Sequence, residues 1–366
     1  VNAKIYKDGM YSTYFEIAMK KKVNVGIIGC GIIAPSHVSG YLKSGMANVV
    51  ALCDKKTEKA KALAERFNLS GVKIYSDYEQ LLQDPEIDAV SICTPHYLHA
   101  EMTTKAAEYK KHVLCEKPMA ISLKQADEMI RACKKNGVKL EIVFQYRFTP
   151  DTRKIKEEFE NGKFGIPIYG EAVVKWYRED SSYYYADETA RSWRGKWSTE
   201  GGGALINQSI HTIDLLQWIM GPVDYLYAIY DTRTHNIEVE DLAVATLKFK
   251  NGALGTILGS VALRPQENWL GIYGSKKSVI VGSDLKIVKQ WEEEGKSKVI
   301  DEVKEKEETL TPSVGHDGVI EDFLRSIVED KTPYVTGEEG RKALEIVLAI
   351  YKAHKTGSKV SFPLVE

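Results

Sequence analysis

The sequence predicts two domains, an open doubly wound α/β domain followed by an α+β domain built on an antiparallel sheet. Three observations lead there. From Val23 to about residue 148, continuous apolar runs alternate with amphipathic stretches, as in a parallel sheet with helices on both faces. After residue 149 the alternation is lost, and strand-like runs follow one another with turn residues such as Asn251-Gly252 between them. The length of 366 residues suits two domains at roughly 150 each, and 43% hydrophobic residues supply the material for real cores.

The elements read in order as follows. Residues 1–19 lack clear periodicity and precede Met19-Lys20-Lys21-Lys22, so they are either a non-native start or an arm that packs on a neighbouring subunit. The first domain then runs over 20–148. VNVGIIG is a short apolar strand ending in glycine, residues 34–45 suit a helix, and NVVALCD (48–54) is a second buried strand. KKTEKAKALAERF is a charged helix, and a strand follows around Val72–Tyr75. DAVSICTP (88–95) and HVLCEKP (112–118) are strands ending in prolines, with helices near 97–109 and 122–136, and VKLEIVFQYRF (138–148) closes the series. The second domain covers 149–366. It opens with a helix over 150–160 and continues through YGEAVVKWYRED, an aromatic loop and GGGALINQSIHTIDLLQWIMG, the covering helix. VDYLYAIYD, EDLAVATLKFK, GALGTILGSVAL, NWLGIYG, KSVIVGS and LKIVKQW are its remaining strands. Residues 292–308 carry eight acids and four bases and read as a solvated hairpin or loop, and helices near 314–329 and 337–356 end the chain.

Composition excludes several classes of function. Lys plus Arg total 50 and Asp plus Glu 51, so no global electrostatic grip on nucleic acid or anionic membrane is expected. No apolar run approaches the length of about 20 needed to span a bilayer, and no leader pattern opens the chain. Cys30, Cys53, Cys93, Cys115 and Cys133 are odd in number, form no CxxC pair and sit in apolar settings such as VLC and SIC. They read as reduced, buried thiols in a cytoplasmic protein.

Gly29-Cys30-Gly31-Ile32-Ile33-Ala34 is a GxGxxA turn directly after the first strand. The first glycine permits the tight turn and the second lets backbone approach a pyrophosphate. The small third residue packs helix on strand, and the helix N-terminus favours phosphate. Asp54 ends the second strand about 20 positions later, where a carboxylate accepts hydrogen bonds from a ribose 2′-OH and repels a 2′-phosphate. NAD is therefore expected, with NADP left open because Lys55 and Lys56 can offset the repulsion.

Glu116-Lys117-Pro118 lies at the carboxyl end of a sheet strand, where open α/β sheets bind ligands. Lys117 reads as an exposed strand-end lysine or as a group that hydrogen-bonds a substrate hydroxyl and stabilises a developing alkoxide. Asn207, His211 and Asp214 are spaced i, i+4 and i+7, one face of a helix, with Gly201–Gly203 just before it. His211 reads as a core histidine or as a general base working near pH 7, with Asn207 and Asp214 orienting it or holding neighbouring hydroxyls. Thr94-Pro95, His96 and His99 follow a strand end and are cofactor-side or structural; no carboxylate set with metal-like spacing accompanies them. YYYADETARSWRGKW combines aromatics with Arg191, Arg194 and Lys196, a polar loop suited to a lid, a sugar-binding mouth or a subunit interface. Trp193, Trp197 and Arg191 are its candidate substrate contacts.

Taken together, GCGIIA, TPHYLH, CEKP and GGGALINQSIHTIDLLQWIMG resemble the Gfo/Idh/MocA oxidoreductase family, and the ending from HDGVIEDF to KVSFP is similar to its C-terminal pattern. The resemblance covers about residues 22–364. It implies a Rossmann NAD-binding domain, a C-terminal α+β domain with a large open-faced, mainly antiparallel sheet, and homodimers or homotetramers formed through that sheet. It also implies that Lys117 lies beside the nicotinamide, with Glu116 at the cofactor side, and that His211 is the acid/base. Inositol dehydrogenase-like members have an aspartate where this chain has Asn207, which shifts weight from a carboxylate–histidine dyad onto Lys117.

The expected activity is hydride transfer between NAD and a secondary alcohol of a sugar, polyol or sugar derivative. The Arg191–Lys196 cluster leaves room for an anionic one. The same resemblance admits an NAD-dependent glycosidase, which shows no net NADH, and a non-catalytic sugar or dinucleotide sensor.

Overall fold

The computed structural model describes residues 22–293 and 315–365; residues 1–19 and most of the acidic stretch 292–308 fall outside them. The first sheet has six strands: β1 (Val23–Ile28), β2 (Ala47–Cys53), β3 (Lys73–Tyr75), β4 (Ala89–Ile92), β5 (His112–Cys115) and β6 (Leu140–Ile142). Every pairing is parallel and the spatial order is β3-β2-β1-β4-β5-β6. Val25, Ile27, Leu52, Ala89, Val90, Val113 and Leu114 are fully buried, as a sheet covered on both faces requires. The order reverses between β1 and β4, so their carboxyl ends open the crevice in which such sheets bind ligands. β6 is shorter than the run 138–148 predicts. After Ile142 the backbone turns into a 3₁₀ segment, Gln145–Phe148, which buries Gln145 and Arg147. An apolar run without Gly or Pro does not show where a strand stops pairing.

The second sheet has eight strands: β7 (Pro167–Lys175), β8 (Val223–Asp231), β9 (Leu242–Phe249), β10 (Leu254–Ser260), β11 (Glu267–Gly274), β12 (Lys277–Val281), β13 (Ile287–Glu292) and β14 (Val360–Ser361). Its order is β13-β12-β11-β7-β10-β9-β8-β14, and β7–β10 is the parallel pair in an otherwise antiparallel sheet. Alternation along β9 buries Ala243, Ala245, Leu247 and Phe249 and leaves Val244 on the other face. Two helices cover the inner face rather than one: Ile210–Met220, nearly all buried, and Gly337–Thr356. The outer face keeps Tyr227, Ile229, Val244 and Leu254 exposed.

The chain's last helices also return to the first sheet. His316–Val328 packs on Ala34–Ser44, and Val319, Ile320, Phe323 and Leu324 complete that side of the parallel sheet's core. Gly40 is required there, because a Cβ would stand 2.3 Å from Ile320 Cδ1. Ile142 N–H donates to Val335 O, and Glu141 bridges Thr336.

Glu141 is fully buried and neither carboxyl oxygen has a hydrogen-bond partner. Burial first, and the nearby Asp322 second, push its carboxyl well above the usual range, so it is protonated in the fold. An unfolded glutamate ionises near pH 4.3, so stability is undiminished below that value. It then falls by about 1.4 kcal/mol per pH unit as pH rises toward the folded value. Glu141→Gln removes this loss. Thermal unfolding is expected to show the variant more stable than wild type at pH 8 and the difference vanishing near pH 4.

Candidate active site

The glycine turn closes β1 against β4. Gly29 has φ +91°, and a Cβ there would sit 2.7 Å from Cys93 O. A Cβ at Gly31 would meet nothing within 4 Å, and Ile32 is 80% exposed, so this face of the turn lies open to a ligand. The helix Ala34–Ser44 starts here with no side-chain cap; Pro35 has no N–H and Ser36 N–H donates to Ile33 O at 2.9 Å, so Ala34 N–H is the helix-start donor that faces a ligand. Asp54 Oδ2 accepts from Cys30 N–H at 2.9 Å, which sets the carboxylate at the end of β2 against the turn. Lys55 is exposed, and Lys56 pairs with Glu188 at 3.6 Å, reaching the helix Glu188–Trp193 of the aromatic loop. An open glycine turn, an uncapped helix start and a strand-end carboxylate fit a dinucleotide.

Lys117 follows β5. Its Nζ donates to the backbone carbonyl of Asn207 at 2.8 Å, joining the two halves of the site. Burial lowers the lysine's pKa from its ordinary value, with Glu116 and Glu200 opposing and Arg178 and Arg194 reinforcing. Asn207 lies in a π-helical segment, Ala204–Ser209, that precedes the α-helix. The glycine triplet makes that start feasible: a Cβ at Gly203 would stand 2.0 Å from Glu240 O, and the Glu240 carboxylate accepts from Gly203 N–H and Leu205 N–H. His211 is 6% exposed and stacks on Tyr146 at 4.6 Å, with Phe144 edge-on. Its Nδ1 is buried without a partner among the described residues, and burial, then Lys117, holds its pKa well below the ordinary histidine value. The imidazole is neutral at pH 7, and its Nε2 takes no hydrogen bond from the described residues.

Several predicted side chains go elsewhere. The π-helical segment Ala204–Ser209 shifts Asn207 out of α-helical register with His211. Asp214, in the same α-helix as His211, faces the core, where both its oxygens accept from Arg147 at 2.7 and 2.6 Å. It does not orient His211. Glu116 is likewise a brace rather than a cofactor contact: its Oε1 meets His37 Nε2 at 3.0 Å and His316 Nε2 at 3.4 Å, and its Oε2 accepts from Lys117 N–H. Although burial works the other way, bonds to His316 and His37 hold this carboxyl well below the usual range. The three residues could surround an ion, but the spacings are those of hydrogen bonds. His99 spans Pro118 O and Thr94 O at 2.8 Å each, and Thr94 Oγ1 turns to Met102; both tie down the loop after Pro95. His96 Nδ1 meets Glu200 O, and Trp193 packs edge-on against its ring. Arg191 is exposed and donates to Tyr185 O. Trp197 faces away, packed on Tyr351 and Tyr230 with Lys355 over it.

Sequence reasoning missed other residues of the site. Tyr183 Oη accepts from Asn207 Nδ2 at 3.0 Å and from Gln208 Nε2 at 2.7 Å. The guanidiniums of Arg178 and Arg194 lie over the Tyr183 ring, 5.2 and 4.0 Å from its centre. The buried Nε atoms of both arginines lack partners, and no ion pair joins either to a carboxylate among the described residues. Glu200, just before the glycine triplet, is 1% exposed and accepts from Asn207 Nδ2 and Gly195 N–H. Nothing in the local spacing marks Arg178 or Glu200; an acid beside three glycines was the available signal for the latter.

A dinucleotide cradle, a desolvated lysine and a neutral histidine meeting at the carboxyl edge of a Rossmann sheet define an NAD-binding oxidoreductase. Residues 23–144 match the GFO_IDH_MocA oxidoreductase family, NAD-binding Rossmann fold, and residues 156–362 match that family's C-terminal alpha/beta domain. The chain belongs to this family. It is 35% identical over 266 residues to an uncharacterized oxidoreductase, YrbE, of Bacillus subtilis, covering 71% of this chain and 74% of the relative. It is 28% identical to the myo-inositol 2-dehydrogenase of Thermotoga maritima over 90% of this chain and 96% of that one. The WlbA dehydrogenase of Bordetella pertussis, solved with NADH and UDP-GlcNAcA, superposes with a TM-score of 0.83 at 31% identity, over 94% of this chain and 100% of that chain. No helix among the described residues is long and apolar enough to cross a membrane.

Proposed function

We propose that this protein oxidises a secondary alcohol of a sugar, polyol or sugar derivative with NAD, or reduces the corresponding ketone. The observation behind this reading is the pairing, at the carboxyl edge of the Rossmann sheet, of a desolvated Lys117 with a neutral His211 whose Nε2 is unengaged. NAD, when bound, supplies the hydride acceptor. The turn Gly29–Gly31 with Ile32, Ile33 and Ala34 would hold its pyrophosphate, and Asp54 its adenosine ribose, which favours NAD over NADP. His211 Nε2 takes the proton of the reacting hydroxyl. Lys117 Nζ, carrying hydrogens beyond the one spent on Asn207 O, donates to the same oxygen as charge develops on it.

The substrate class follows from the donors around that oxygen. Arg178 and Arg194 present positive charge that no carboxylate pairs, which suits a substrate bearing an acid or phosphate group. Of the relatives, the WlbA dehydrogenase was solved with UDP-GlcNAcA, which agrees with this, whereas the myo-inositol 2-dehydrogenase acts on a neutral polyol. The exposed apolar residues Tyr227, Ile229, Val244 and Leu254 on the outer sheet face suit a second copy of the chain. Five buried, free thiols suit a reducing compartment such as the cytoplasm.

The test is a screen of polyols, aldoses, sugar acids and nucleotide sugars for NADH formation. Net NADH is expected, with acidic sugars preferred; turnover without NADH would instead favour the glycosidase reading. Lys117→Met is expected to lower kcat about 10²–10³-fold with NAD still bound, the scale of losing one preorganised donor. Full activity in that variant would remove Lys117 from the mechanism.

A further inference from the structure

Glu200 is a buried carboxylate of this site that no ion pair satisfies among the described residues; Glu240, the other, is held by Gly203 N–H, Leu205 N–H and Tyr351. One oxygen is spent on backbone, accepting from Gly195 N–H, and its main-chain carbonyl accepts from His96 Nδ1. The other oxygen accepts from a side chain, Asn207 Nδ2, whose second hydrogen goes to Tyr183 Oη at 3.0 Å. With both amide hydrogens committed, Asn207 Oδ1 is left as a pure acceptor, and no described residue donates to it. The backbone carbonyl of Asn207 in turn receives Lys117 Nζ. Glu200, Asn207 and Lys117 are thus one connected chain ending at Lys117 Nζ.

Resting on the dehydrogenase reading above, we propose that Glu200 is a positioning residue that acts through Asn207. Its carboxylate locks the amide so that Oδ1 accepts a substrate hydroxyl, and its charge keeps the proton on Lys117.

The lock responds to pH. Burial raises the Glu200 carboxyl to about 7 against the bonds from Gly195 and Asn207 and the charge of Arg194, while Glu240 adds repulsion. The other groups facing it are Lys117, Tyr183, Tyr184 and Tyr351; burial raises all three phenols, so they stay neutral near pH 7. His96, against its carbonyl, is kept neutral by burial. The raised carboxyl is protonated below about 7, which releases the amide, and ionised above it, which locks the amide.

The test uses the full chain loaded with NAD. Competitive acetylation with acetic anhydride, read at the Lys117 peptide by mass spectrometry across pH, reports how readily Lys117 loses its proton. Glu200→Gln removes the neighbouring negative charge, so Lys117 is expected to label about tenfold faster at about pH 9, where the wild-type carboxylate is ionised, with the difference closing below about 7. Glu200→Gln combined with Asn207→Asp moves the carboxylate one link closer and is expected to restore slow labelling. Asn207→Ala keeps the charge of Glu200 and removes the positioned acceptor, so it is expected to leave labelling near wild type while kcat/KM falls; Glu200→Ala serves in place of Glu200→Gln if that variant fails to fold. With the substrate found by the screen, kcat/KM should lose its acid limb near pH 7 in Glu200→Gln and recover amplitude in the double variant. Unchanged labelling in Glu200→Gln, no rescue by the double variant, or faster labelling in Asn207→Ala overturns the proposal. Labelling needs no substrate, so absence of NADH from every compound would count against the dehydrogenase reading and leave the labelling result to decide on Glu200.

Discussion

Replacing His211 by alanine is expected to lower turnover about a thousandfold while NAD still binds. The magnitude is that of removing a positioned general base. Burial, and then the charge of Lys117, keeps the imidazole neutral through the working range. The base is therefore already in its active form at pH 7. As pH falls, its contribution is lost only on passing well below the ordinary histidine value, so His211 adds no limb near pH 6.5. Its orientation comes from Tyr146 and Phe144, since no carboxylate touches Nδ1. Steady-state kinetics on His211→Ala, with NAD affinity measured alongside, checks this; a loss smaller than about tenfold would exclude His211 as the base.

The second large effect concerns stability. Arg147→Met is expected to destabilise the fold by about 3–5 kcal/mol in urea unfolding, because it strands Asp214 in the core. Arg147 and Asp214 are 1% and 0% exposed, and the guanidinium meets both carboxylate oxygens before reaching Glu339 at 3.0 Å. Burial pushes the Asp214 carboxyl upward and Arg147 opposes it. Without Arg147 the carboxyl takes up a proton, so the deficit should shrink as pH is lowered toward 5. Arg147→Met with Asp214→Leu should recover most of the loss, since replacing a whole buried pair by apolar groups is close to neutral. A deficit that persists in the double variant would show that Arg147 acts through Glu339 instead.

Much of the fold was legible because period and punctuation are local. Apolar runs closed by Gly29 or Pro95 mark buried parallel strands, and alternation along Leu242–Phe249 marks a sheet with one covered face. Lys117 and His211 were legible as well, one by its place at a strand end and the other by its polar neighbours in an apolar segment. Asp214 was misread because helical spacing does not show which partner a buried carboxylate meets: Arg147, 67 residues away in sequence, takes both its oxygens. Glu116 was misread because strand-end position says nothing about which way a carboxylate points, and His316 comes from 200 residues away.

By itself, then, the sequence determined the two sheet types and the dinucleotide turn, and it singled out Asp54, Lys117 and His211 as the candidates on which the proposed chemistry rests. These follow from chemistry within a few residues or from periodicity. Tertiary structure decided which partner each buried carboxylate meets. Asp214 is drawn to Arg147 because a buried charge must be paired, while Glu200 reaches Asn207 because the glycine triplet lets the chain fold back within hydrogen-bond range. Hydrogen bonds and desolvation act across space, and spacing along the chain does not record them.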